Sequence, residues 1–432
     1  MSSSSWVEIS AEHCFSLANI PFGIISYEGV SEPRPAIAIG NQALDLKVFA
    51  DGHGFADLPD NSAVISSLQG QTLDEFATLG RFTHKQVREY LQKILAKDTP
   101  FAARLRDNSN LRAASLLSLA KVQTHVPLRI GDYTDFYVGK NHAYNVGVLF
   151  RGPDNALQPN YTHLPVAYHG RASSIVVSGT PVRRPWGQIL GDDKKPTWHP
   201  SKKLDIELGL GAFIARGNKQ SSGIRVGDAE EYIFGYVLLN DWSARDIQAW
   251  EYVPLGPFNS KNFASSISAW VVLADALEPF RAEGIKNDSP VQPYLRQDTT
   301  KTVFDIQLQV EVKACGAQSS SVITRSNAKH LLWSFPQMIA HHTVGGCNLN
   351  TGDLLGSGTI SGTEAGSQGS LLELTNGGKS PVEIDGGNRR VFLEDGDEVS
   401  IRGWAELPSG ERIGFGSCRS TILEAWKDGY EN

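Results

Sequence analysis

Residues 204–213 read LDIELGLGAF, and this stretch decides how the chain is read. Asp205, Glu207 and Gly209 alternate with Ile206, Leu208 and Leu210. Successive side chains of a β-strand point to opposite faces, so the first three share one side. An acid-bearing side opposite an apolar one suits a strand whose inner surface holds a cation in place of a hydrophobic core. Glu207 in particular needs a partner, because an unpaired buried carboxylate is costly.

Around this strand lies a chain of 432 residues, long enough for two or three domains, or for one large β-rich domain beside a small one. Hydrophobic residues make up 41% and charged residues 20%, the balance of a globular protein. The net charge of −7, with no Lys/Arg-rich run, excludes nucleic acid as an expected partner. No apolar run approaches the ~18 residues that signal a membrane span, so no membrane partner is expected. The opening MSSSSWVEIS has neither the basic nor the apolar region of a signal peptide. Cys14, Cys315, Cys347 and Cys418 are scattered without a CxxC pair, which reads as reduced thiols in a cytoplasmic protein.

Residues 1–60 mix short β-type runs (FGIISY, AIAIG) with Gly/Pro turns, as a small barrel would. Between 62 and 120, LDEFATL, HKQVREYLQKIL and NLRAASLLSLA carry helical spacing. KVQTHVPLRIGDYTDF then reads as the start of a second domain, giving an expected division into 1–125 and 126–432. From there on, aromatic and β-branched runs alternate with turns, which predicts a mostly β architecture. SIVVSG, EYIFGYVLLND, SAWVVLAD, FDIQLQVEVKA and EVSIRGWAEL are the expected strands. A helix is expected over 327–342, kinked or begun afresh at Pro336.

Three clusters place a carboxylate beside aromatic residues: GDYTDFYVGKNHAYNVG (131–147), the 204–213 strand, and NDWSARDIQAWEYVPLGPFNSKNF (240–263). Asp135, Glu207 and Asp241 can converge as hard oxygen ligands of the kind Mg²⁺ or Ca²⁺ requires. An Asp in a Gly/Tyr turn also serves as a turn former or cap, and Arg245 and Asp246 can simply pair with neighbours. His142 lies seven residues after Asp135, and because the unperturbed pKa of histidine as a residue type lies near neutral pH it is a candidate general base. The tandem His341–His342 diverges by ~100° on a helix and reads as structural. GLGAFI fails as a dinucleotide fingerprint because position 214 is Ile, and no nucleophile elbow or P-loop is present. The Gly-rich stretch 345–370 reads as tight turns whose hydroxyls and amides can bind an anion.

Taken together, these clusters resemble the fumarylacetoacetase family. So do FSLANIPFGIISY (15–27), LPVAYHGRASSIVVSGTPVRRP (164–185) and LLGSGTISG (354–362), and the likeness runs from about residue 6 to about 425. The resemblance implies a small N-terminal β-barrel-like domain followed by a larger mixed β-roll domain, a mostly β (α+β) fold. It implies a cytoplasmic homodimer in tyrosine and phenylalanine breakdown, cleaving a carbon–carbon bond of 4-fumarylacetoacetate to give fumarate and acetoacetate. The implied ligands of Mg²⁺ or Ca²⁺ are Asp135, Glu207 and Asp241, with Lys261 and Ser265 nearby. The family's Gly-Thr is Ala264-Ser265 in this chain, and a fourth carboxylate of the family falls on Gly209. The implied base is His142, oriented by Glu373 in GSLLEL. Tyr137, Arg151, Tyr168, Arg245, Gln248, Lys261 and Thr359 are the implied substrate contacts, with Arg245, Gln248 and Lys261 also assisting the chemistry. A β-diketone acid would be the substrate, its two oxygens chelating the cation. The missing acid at 209 leaves a second expectation open: a diverged member acting on another diketone or keto acid, or a non-catalytic ligand-binding or scaffold homodimer.

Overall fold

The computed structural model describes residues 4–427. Its first part is a five-stranded, all-antiparallel sheet in the order Leu116–Ser118, Gln42–Asp45, Val30–Ile39, Phe22–Tyr27, Val122–His125. Four α-helices between residues 61 and 115 cover it, as the helical spacing of 62–120 predicts. The longest, Arg81–Leu95, buries His84, Val87, Tyr90, Leu91, Ile94 and Leu95, the i, i+3, i+4 stripe of a helix lying on a core.

The remainder is mostly strand. An eight-stranded mixed sheet runs Ala167–His169, Tyr133–Phe136, Leu354–Gly356, Leu208–Ile214, Ile233–Asn240, Ser265–Ile267, Ile175–Val177, with Val272–Leu273 pairing off Ile233–Asn240. A five-stranded sheet built on Gln307–Lys313, Ser321–Asn327, Glu398–Glu406 and Arg412–Leu423, with Val182–Arg183 at its edge, lies beside it. The large sheet is sandwiched between two cores. Leu208, Leu210, Ala212 and Ile214 enter the core of the larger part, while Phe213, Phe234 and Leu239 join Phe22 and Phe76 of the first part. The strand is therefore buried on both faces, and only its Glu207 end is polar.

The stretch 204–213 is also not one strand. Leu204–Asp205 pairs with Ser243–Ala244, and Leu208–Ile214 pairs with Ile233–Asn240. The break has a local cause: the Ile206 N–H is bonded by the Asp205 carboxylate, and the Glu207 N–H by the Asn240 side chain. Side chains thus replace the ladder at the two residues between the pieces.

Two further differences matter for the site. The helix expected over 327–342 begins only at Phe335 and runs to Thr343; Ser334 caps it in a capping box with Gln337, and Pro336 sits in its first turn. Two helices escape a strand-oriented reading, Lys140–Arg151 and Arg245–Glu251. Gly147 lies in the first of these because a Cβ there would stand 1.9 Å from the Ala156 carbonyl oxygen.

Candidate active site

Asp135 stands on Tyr133–Phe136, in register with Gly356 on one side and Tyr168 on the other. Glu207 immediately precedes Leu208–Ile214, and Asp241 immediately follows the Ile233–Asn240 strand that pairs with it. Neighbouring strands therefore deliver all three carboxylates to one end of the sheet. They are buried, and one oxygen from each lies within 4.8 Å of the others.

Two cations lock this group. Lys261 Nζ donates to Glu207 Oε2 and, at 2.7 Å, to Asp241 Oδ2. Arg245 places Nη1 2.7 Å from Glu207 Oε1 and Nε 2.8 Å from Asp205 Oδ2. Burial pushes the Glu207 carboxyl up, but Lys261 and Arg245 outweigh it and hold Glu207 below the usual carboxylate range. Burial likewise works against the Lys261 charge, and the Asp241 and Glu207 carboxylates reverse it, so Lys261 stays protonated. Asp135 is different. Its oxygen accepts the Gly358 N–H at 2.9 Å, and burial, followed by the charge of Asp241, raises its pKa well above normal. A buried carboxylate in that state is what a divalent cation stabilises, and three convergent carboxylates suit a hard ion. Ser265 and Tyr168 complete the setting by donating to Asp241 at 2.9 and 2.6 Å.

Asp205 does not join the convergent carboxylates. Its Oδ1 accepts the backbone N–H groups of Ile206 and Leu371, and its Oδ2 those of Leu372 and the Arg245 Nε. It is fully committed to holding Arg245 and the start of the short helix Leu371–Leu374. That helix presents Glu373. Gly209 leaves little room: a Cβ there would meet the Gly358 carbonyl oxygen at 3.2 Å and Ser357 Oγ at 3.5 Å. Position 209 thus points at the loop whose Gly358 N–H holds Asp135.

Across from the carboxylates, His142 lies in the first turn of Lys140–Arg151, buried, with Nδ1 2.6 Å from Glu373 Oε2. Its Nε2 is 4.0 Å from Glu207 Oε1, on the side of the carboxylate triad. Glu373 accepts three more hydrogen bonds: from Asn145 Nδ2 (2.9 Å), Ser370 Oγ (2.8 Å) and Ser361 Oγ (3.0 Å). Burial raises its pKa, yet His142 and these donors hold it below the usual range. Glu373 is therefore an anion that can only accept, so His142 Nδ1 donates to it and Nε2 is the ring nitrogen turned toward Glu207.

Both groups open on a cavity of about 370 Å³. Tyr137, Arg151, Tyr168, Arg245, Gln248, Lys261 and Thr359 all line it, with Val146, Phe150, Val166, Tyr252 and Leu255 as the apolar wall. Thr359 Oγ1 and Arg245 Nη2 are buried there without a hydrogen-bond partner among the described residues. Two such orphans on one wall mark a place where a ligand or water is expected. Arg151 is already partly engaged, donating from Nε and Nη2 to the carbonyls of Asn155 and Ala156. Tyr168 is turned to Asp241. Asn145, Ser361 and Ser370 escape the sequence reading; Asp205 is placed by it on the acid-bearing side, and the structure gives it to Arg245 and the Leu371–Leu374 backbone instead. Asn145 sits three residues beyond His142, one helical turn away, and that spacing was the one available signal.

Comparison with known proteins decides what this arrangement belongs to. Residues 133–423 match the family model "Fumarylacetoacetate (FAA) hydrolase C-terminal", and residues 18–127 match "Fumarylacetoacetase N-terminal". The chain belongs to the fumarylacetoacetase family. It is similar to fumarylacetoacetase fahA of Aspergillus fumigatus, 57% identical over 98% of this chain and 99% of that one. It is also similar to the fumarylacetoacetase of Homo sapiens, 47% identical over 98% and 99%. Among solved structures, the fumarylacetoacetate hydrolase of Exiguobacterium antarcticum superposes with a TM-score of 0.52 over 94% of this chain and 99% of that one. At 16% identity that match speaks for the fold alone.

Proposed function

We propose that the protein hydrolyses a carbon–carbon bond in 4-fumarylacetoacetate, releasing fumarate and acetoacetate in tyrosine and phenylalanine breakdown. The observation that carries the proposal is a His142–Glu373 dyad and a buried carboxylate triad opening on one cavity. Identities of 57% and 47% with named fumarylacetoacetases, over nearly the whole chain, favour this reading over a diverged diketone hydrolase or a non-catalytic scaffold.

Asp135, Glu207 and Asp241 would hold a divalent cation, Mg²⁺ or Ca²⁺, which supplies Lewis acidity toward the two oxygens of a β-diketone. His142 Nε2 takes a proton from water, and Glu373 stabilises the imidazolium through Nδ1. The water oxygen bonds to the carbonyl carbon, and the adjacent carbon–carbon bond breaks with its electron pair passing to the acetoacetate fragment as an enolate. Arg245 and Lys261 favour that negative charge, and Gln248, 3.2 Å from Arg245 Nη1, orients the guanidinium. The imidazolium then returns its proton to the enolate carbon. Thr359, Tyr137 and Arg151 would hold the substrate's polar groups, with the remaining Arg151 donor directed to a carboxylate.

The division into a unit of 1–125 and a catalytic unit of 126–432, the homodimer and the cytoplasmic location belong to the same proposal. No helix among the described residues is long and apolar enough to cross a membrane. The test is spectroscopic: loss of the conjugated diketone absorbance should stop on chelation of divalent cations and return on adding Mg²⁺ or Ca²⁺. Turnover that ignores chelation would remove the metal from the proposal.

A further inference from the structure

A second cavity, of about 390 Å³, adjoins the catalytic one. The two share three residues, Tyr168, Pro257 and Lys261, which form the partition between them. Two of these are pinned, since Tyr168 and Lys261 both donate to Asp241. The remaining lining is exposed or half-buried and, apart from Gly170 and Phe258, basic or neutral-polar. His169, Arg171, Ser173 and Asn262 contribute to it, and no Asp or Glu does. The catalytic cavity, by contrast, is walled by Asp135 and Glu207.

Arg171 gives the second cavity its charge. Its Nε donates to Ser173 Oγ at 2.8 Å, which fixes the plane of the guanidinium. Among the described residues no carboxylate pairs with it, whereas Arg245 in the catalytic cavity is paired with Asp205 and Glu207. Its two Nη groups thus present the planar fork that suits a carboxylate, with the Ser173, Asn262 and His169 side chains as further polar partners.

We propose that this cavity is a second anion site, one that binds a short-chain carboxylate across the partition from the catalytic centre. The proposal goes beyond hydrolysis and rests on it only for the identity of the acids, because both products of the proposed reaction are short carboxylates. A product released from the catalytic cavity would be received there.

Titration calorimetry with fumarate, and separately with acetoacetate, reads the number of sites per chain without turnover. Two sites per chain are expected for at least one of the acids. Arg171→Gln should weaken one of the two by at least tenfold, and Arg171→Lys, which keeps the charge, should retain it in part. A single site for both acids, or a second site that Arg171→Gln leaves unchanged, overturns the proposal. Hydrolysis of fumarylacetoacetate, measured without added product, reads the catalytic proposal separately: a chain with two carboxylate sites and no turnover would sink that reading and leave this one standing.

Discussion

Ser361 donates its hydroxyl proton to Glu373 Oε2 across 3.0 Å, because the same hydroxyl already accepts the Gly369 N–H at 2.9 Å. The direction matters, since an ionised carboxylate can only accept. With Asn145 on the other oxygen, Glu373 keeps one orientation and one charge state against His142. Ser361→Ala and Asn145→Ala should each lower kcat about 10-fold, the cost of one hydrogen bond to a charged group worth roughly 1.5 kcal/mol. KM should stay within about twofold, because neither side chain lines the substrate cavity. Ser361→Thr should restore part of kcat. Equal changes in kcat and KM would show that these residues shape the pocket and do not orient the dyad.

His84 makes folding sensitive to mild acid. Burial between Phe76 and Phe234 depresses its pKa from 6.5 to about 4, only partly offset by the bond to the Phe76 carbonyl. The folded pKa is lowered, so the stability is present above pH 6.5 and is lost as the unfolded chain takes up the proton that the folded chain refuses. At pH 5 the loss should reach ~2 kcal/mol, levelling off near pH 4. Urea unfolding at pH 7 and pH 5 measures it. His84→Gln, which keeps a donor but does not titrate, should flatten that difference even if it lowers stability at both pH values.

Much of the fold was legible in the sequence because its signals are local. The stripe of 81–95 and the alternation of 307–313 need no knowledge of what they pack against. The two site-bearing helices were missed because Lys140–Arg151 contains Gly147 and Arg245–Glu251 is only seven residues long, so neither shows a long periodic pattern. The carboxylates at 135, 207 and 241 were legible as candidates, since inward acids on strands are rare and demand a partner. What could not be read was assignment among acids. Asp205 and Glu207 alternate in the sequence and both touch Arg245, yet one anchors the Glu373 helix and the other meets Asp135 and Asp241. That distinction depends on the backbone of residues 371–372, some 165 positions away along the chain.

Gly209 offers a direct test of the ion site. A side chain there would press the Gly358 carbonyl by a few tenths of an ångström and would extend beside the loop that holds Asp135. Gly209→Glu adds a fourth carboxylate and should tighten Mg²⁺ and Ca²⁺ binding by about tenfold or more, as ligand charge count sets affinity over orders of magnitude. Titration calorimetry on both forms gives the answer. Unchanged affinity would mean that position 209 does not reach the ion.

His142 is proposed to activate water for attack on a β-diketone. The most direct test of that role is the steady-state turnover of fumarylacetoacetate by His142→Ala beside the unaltered protein. The expected result is a fall in kcat of ~10²-fold or more, the usual share of a positioned general base, with fumarate and acetoacetate still binding. Near-parental turnover in His142→Ala would show that His142 is not the base.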